Sequence, residues 1–204
     1  MDSQEYLNQI SQSARPAAKP KANFMNSPFF KVGAIGVIAF IVIAIFGSII
    51  TGGRADFKTQ AIALKVQLDD TLEMISEYQQ YVKSSDLRSS SASLYGVLST
   101  TNTDLTTLLE ETYEFTSRSI DEKTKEQAQL EKDALNEELF SAKINGILDR
   151  VYAHKMAYQI SIISTNETSL YKATENEALR SILDISYTSL DNLYSKFNDF
   201  SEAK

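Results

Sequence analysis

The run FKTQAIALKVQLDDTLEMISEYQQYV, Phe57 to Val82, sets Phe57, Ala61, Leu64, Leu68, Leu72, Ile75, Tyr78 and Val82 at steps of three and four residues. That spacing lines one stripe of an α-helix, whereas a strand would place apolar side chains at every second position. The surrounding composition extends the conclusion to the whole C-terminal part. No proline follows Pro28, and beyond Gly53 the only glycines are Gly96 and Gly146. A β-rich domain of this size marks its many turns with Gly, Pro and Asn-Gly pairs, so residues 54–204 read as all helix.

Working toward the C-terminus, the first helix is expected over about 54–83. Ser84-Ser85-Asp86 then supplies N-cap chemistry for a second, about 86–117. Leu87, Leu94, Thr101, Leu108 and Phe115 are seven apart, with Ser91, Leu98, Leu105 and Thr112 as the companion series. Sixteen of the 36 residues from Ser84 to Ser119 are Ser or Thr, weak helix formers, so this helix depends on packing by its neighbours. A third helix is expected over 119–164, longer than its neighbours, so that it either kinks near Gly146 or projects beyond them. Its first half is highly charged with a thin apolar stripe, and from Phe140 the stripe strengthens through Ile144, Ile147, Val151, His154 and Tyr158. A last helix is expected over 167–201, with Leu179, Ile182, Ser186, Leu190, Leu193, Phe197 and Phe200 in its core series and Thr174-Glu175-Asn176-Glu177 in capping-box form. Four long helices with short loops pack most simply as an antiparallel up-down four-helix bundle. That arrangement places the turns near Ser85 and Thr165 at one end, and the loop near Arg118 and the C-terminal end at the other.

Toward the N-terminus, Val32 to Gly53 holds 22 residues without Asp, Glu, Lys, Arg, His, Asn or Gln, fenced by Lys31 and Arg54. As a helix it spans roughly 33 Å, enough for a hydrocarbon core of about 30 Å. Residues 29–53 are therefore expected to be an uncleaved transmembrane signal anchor in contact with the lipid bilayer through 32–53. The run is too long, and lies too far along the chain, for the apolar part of a cleaved signal peptide. Residues 1–28, with Pro16 and Pro20 among basic groups, read as a disordered or weakly helical tail.

Charge orients the anchor. Residues 1–51 carry Arg15, Lys19, Lys21 and Lys31 against Asp2 and Glu5, a balance of +2; residues 52–204 hold the remaining 16 basic and 25 acidic side chains, −9. The positive-inside bias predicts a cytoplasmic N-terminus and an extracytoplasmic bundle in the cell membrane. A domain at −9 is not drawn to nucleic acid, and none is expected as a partner.

Catalytic chemistry finds few footholds. Without cysteine there are no disulfides, thiolate ligands or thiol nucleophiles. His154 is the only histidine, no Gly-x-Ser-x-Gly elbow occurs, and the Glu-x-x-His pair of di-iron bundles is missing. No catalytic, cofactor-binding or metal-binding residue is assigned, and no enzyme activity or cofactor is expected. Asn166-Glu167-Thr168 has the form of a glycosylation sequon, a triplet common by chance. Two constellations remain. Ala44, Ser48 and Gly52 form a small-xxx-small series that lets membrane helices approach closely, the feature that points to a homo-oligomer. Among the nine tyrosines after residue 53, Tyr152, Tyr158 and Tyr187 are the candidates to line a ligand cavity between helices.

This layout, an N-terminal anchor followed by an outer helical bundle, is similar to that of the LemA proteins. The first helix after the anchor lacks that family's Asn/Arg-rich sequence, so the similarity is one of layout and transfers no residue role. The expected function is a non-catalytic, single-pass envelope protein whose acidic bundle contacts a protein partner or surface structure. The alternative is an extracytoplasmic small-molecule binding or sensor module working with a separate signalling partner.

Overall fold

The structure, a computed structural model, describes residues 57–116, 120 and 122–200. Five helices and no strand occur among them: α1 Phe57–Tyr78, continued by a 3-10 turn at Gln79–Tyr81; α2 Ser85–Tyr113; α3 Glu122–Ile144; α4 Leu148–Ala173; and α5 Glu177–Asn198. The all-helical reading stands. The count of four helices does not: the helix expected over 119–164 is two helices, and the second of them runs to Ala173.

The break has a local cause. Gly146 sits at φ +72°, the left-handed conformation that ends helices, and its N–H bonds the Lys143 carbonyl at 3.2 Å while Ile147 N–H reaches the Ala142 carbonyl at 3.0 Å. Together these are the paired closing bonds of a Schellman C-cap. At the next boundary Asn176 Oδ1 caps α5 by accepting from Leu179 N–H at 3.0 Å, and Thr174 Oγ1 accepts from Asn176 N–H at 3.1 Å. The N-cap is thus Asn176 and not Thr174, the N-cap a capping box would use, and the last helix opens at Glu177, ten residues later than the expected start at 167. Ser84 caps α2 as its sequence implies, accepting from Leu87 N–H.

Side-chain bonds between helices fix the directions. Lys58 Nζ donates to the Tyr113 carbonyl, Asn166 Nδ2 to Gln67 Oε1, and Lys83 and Ser84 N–H both to the Asp149 carboxylate. Thus α2 and α4 run opposite to α1, and α5, joined to α4 by three residues, runs with α1. Helices α1, α2, α5 and α4 form the closed ring of neighbours, and α3 lies against α1 and α4 from outside. Tyr78 Oη donates to the Asn136 carbonyl there, and Lys132 pairs with Glu73.

The extra helix reverses the expected placement of two features. The end of α5 (Asp199, Phe200) lies beside the α1–α2 turn, not at the opposite end of the bundle, and Thr165 is inside α4 instead of at a turn. The core stripe of α4 is also one residue out of phase with expectation. Leu148, Tyr152, Ala153, Met156, Ala157, Ile160 and Ile163 are buried, whereas Ile144, Ile147, His154 and Tyr158 are exposed. Phe140 and Ile144 are already exposed before the Gly146 break, the buried face of α3 being that of Leu139 and Ala142, so a stripe drawn from Phe140 through Tyr158 starts on the wrong face and stays there where α4 begins anew. In α2 the heptad reading holds through Leu105 and then moves to Leu109, the drift expected when 3.6 residues per turn meet a repeat of seven.

Val32–Gly53 and the tail lie outside the described residues. Among the described residues no helix is long and apolar enough to cross a membrane.

Candidate functional site

On α4, steps of three and four lead from Ile160 and Ile163 to Glu167 and Leu170, which puts a carboxylate on the core face. On α5 the same periodicity places Ser186 between Leu183 and Leu190. The two meet: Ser186 Oγ donates to Glu167 Oε1 at 2.6 Å. Glu167 is only 1% exposed, and its other oxygen, Oε2, has no hydrogen-bond partner in the protein. Burial pushes the carboxyl up to about 7, against the opposing pull of the Ser186 bond. Charged side chains are almost never fully buried unless paired, so this one is an exception that calls for a role.

Above it lies a groove of about 230 Å³ between α4 and α5, lined by Glu167, Thr168, Tyr171, Leu183, Asp184 and Tyr187. Arg180 stands nearby but is engaged: its Nε donates to the Thr174 carbonyl at 2.9 Å, and its guanidinium lies 5.4 Å from the Tyr171 ring centre. Asn166, the acceptor of the sequon, is buried and bonded to Gln67, which closes it to modification in the folded chain.

A second, larger cleft of about 1240 Å³ opens at the end of the bundle where the α1–α2 and α3–α4 turns meet the end of α5. Its lining mixes signs, with Asp86, Asp199, Lys143 and Lys196 among its residues together with Ser89 and Ser90. Asp149 pins its floor by accepting from Lys83 N–H at 2.9 Å and Ser84 N–H at 2.7 Å. Beside it, Phe140 and Ile144 stand on one face of α3, 56% and 68% exposed, with Ile147 just after. The Lys143 ammonium sits 3.2 Å from the centre of the exposed Tyr81 ring.

A third cluster joins α1 to α3. Burial raises the Asp70 carboxyl to about 6; Lys132 opposes the rise, and Asp69, Glu73 and Glu131 add to it. No group of three metal-ligating side chains converges among the described residues.

The three tyrosines marked by sequence fall in three separate places. Tyr152 is fully buried in the core, its phenol pushed up to about 12 by burial. Ser91 opposes that rise but gives its own proton to the Leu87 carbonyl, and the Tyr152 hydroxyl completes no hydrogen bond. Tyr158 is exposed on α4 within electrostatic reach of Glu131 on α3. Tyr187 lines the α4–α5 groove, where its companion is Tyr171. Sequence reasoning missed Glu167 because the third helix was closed at 164; the signal was a glutamate in phase with Ile160, Ile163 and Leu170. Ala44, Ser48 and Gly52 lie outside the described residues.

Fold and sites together define a small helical-bundle protein. No protein family, curated protein or solved structure matches this chain.

Proposed function

We propose that this chain is a non-catalytic, single-pass membrane protein of the cell envelope, anchored by residues 32–53, whose extracytoplasmic bundle docks a protein partner. The anchor rests on the length and apolarity of that run and its flanking charges. The observation that carries the docking is the apolar group Phe140, Ile144 and Ile147 beside Tyr81, exposed where two turns meet the end of α5. Exposed apolar groups rimmed by charge are the usual mark of a contact surface. Photo-crosslinking from position 144 in intact membranes should capture a reproducible protein neighbour, and the double substitution Phe140→Ser, Ile144→Lys should abolish the capture while leaving thermal stability within about 0.5 kcal/mol. No neighbour above background would overturn the reading. Protease cleavage of the bundle in intact cells tests the topology.

The α4–α5 groove favours a second reading, a small-molecule binding module with a separate signalling partner, because it pairs a buried, half-satisfied carboxyl with two tyrosine rings.

A further inference from the structure

Glu167 is a costly feature for a bundle core. A Leu or Gln would fill the same position without stranding a carboxylate oxygen, and Ser186 satisfies only Oε1. The groove that Glu167 lines adds a second carboxylate, Asp184 on the exposed side, and the rings of Tyr171 and Tyr187. No cationic side chain lines it, and the nearby Arg180 packs on Tyr171 and bonds Thr174. Two carboxylates and two electron-rich rings around a cavity of about 230 Å³ suit a small cation: the carboxylates supply charge, and the ring faces attract an ammonium by their quadrupoles. The volume falls below the roughly 300 Å³ at which drug-sized sites begin, which restricts the occupant to a few heavy atoms.

We propose that the α4–α5 groove binds the ammonium group of a small organic amine, either a free alkylamine or quaternary amine or the headgroup of a lipid, with the carboxylates of Glu167, beneath the groove, and Asp184, at its exposed side, as counter-charge and Tyr171 and Tyr187 as its walls. This rests on the small-molecule reading of the groove and is independent of the docking surface at the other end of the bundle. Anions are rejected by Glu167 and Asp184. Neutral isosteres fill the same volume but leave the carboxylate uncompensated.

The test uses the full-length protein in maltoside micelles, with the tyrosine rings isotope-labelled and followed by NMR. Titration with choline and with n-propylamine should shift the Tyr171 and Tyr187 resonances saturably, at dissociation constants of about 0.1–5 mM given so few contact atoms. The neutral choline isostere 3,3-dimethylbutanol and the anion propionate should bind at least about tenfold more weakly, each tenfold corresponding to about 1.4 kcal/mol. Glu167→Gln should weaken choline binding by about tenfold or more, Asp184→Asn by several-fold, and Tyr95→Phe, on the surface of α2, not at all. Ring shifts in bilayers of phosphatidylcholine without added amine, absent in phosphatidylglycerol, identify the lipid headgroup as the source; shifts only on adding free amine identify the soluble one. Equal binding of choline and 3,3-dimethylbutanol would overturn the ammonium assignment and leave a small-molecule groove. Binding by none of the four probes, with no shift in either bilayer, would overturn both.

Discussion

At the residue scale, the distinguishing feature is a carboxyl held in the core by one serine. Glu167 stands at about 7 in the folded chain because burial disfavours its charged form, against about 4.5 for an exposed glutamate. Below pH 4.5 it is protonated in both states and costs nothing electrostatically. As pH rises through the interval to 7, the unfolded chain releases the proton first, so the unfolded state gains and stability falls; above 7 the loss is complete. The size is on the order of 3–4 kcal/mol, at about 1.4 kcal/mol per unit. Asp70, raised to about 6, adds to the same trend. Glu167→Gln keeps an acceptor for Ser186 and removes the titration. Melting temperatures of wild type and variant should nearly coincide at pH 4.5 and separate by several degrees at pH 8, with the variant the more stable. A separation that does not depend on pH would show that Glu167 is ionised, and compensated, in the folded protein.

At the element scale, α3 is unlike the other four helices. Leu139 and Ala142 are its only fully buried apolar residues, and of its bonds to the ring only that from the buried Tyr78 to the Asn136 carbonyl reaches below the surface; the ion pairs of Lys132 with Glu73 and Lys155 with Glu138 lie nearer solvent and are worth little each. The charged sequence of residues 121–138 announced that thin stripe. By contrast α2, for all its serines and threonines, buries Leu87, Leu94, Leu98, Leu105 and Leu109. Amides of residues 125–138 should therefore exchange with solvent at least about tenfold faster than those of 91–109, which open only with global unfolding. Equal protection would mean that α3 is an integral wall of the bundle. Gly146 is the other lever on this helix. Nothing lies within 4 Å of the position a Cβ would take, so Gly146→Ala strains only the backbone at φ +72° and should lower stability by about 1 kcal/mol in thermal melts.

At the scale of the whole molecule, periodicity carried the reading wherever one stripe ran unbroken, as in α1 and α5, and failed from Phe140 onward, where exposed apolar residues of α3 imitate a core stripe and Gly146 then ends the helix. Gly146 was visible as a break point, but whether a lone glycine ends a helix depends on the closing bonds from Ile147 and Gly146 back to Ala142 and Lys143, which form only once the chain is folded. That one event adds a helix, and an added helix turns the last one around. Sites were harder to read than elements. Tyr152, Tyr158 and Tyr187 stand out in the sequence only as aromatics; which side Tyr152 and Tyr158 face follows from the phase of α4, that of Tyr187 from the phase of α5, and Glu167 gains its significance only because α4 continues past 164. The reversal can be measured directly, because the chain has no cysteine and accepts spin labels only where they are introduced. Labels at positions 85 and 199 share one end of the bundle, while 85 and 177 are separated by the length of α5, whose 22 residues rise about 33 Å. The distance between 85 and 177 should exceed that between 85 and 199 by roughly 20 Å or more. A four-helix up-down bundle, its last helix running back past the second turn, requires the opposite order, so the sign of this difference decides the topology without any assumption about label length.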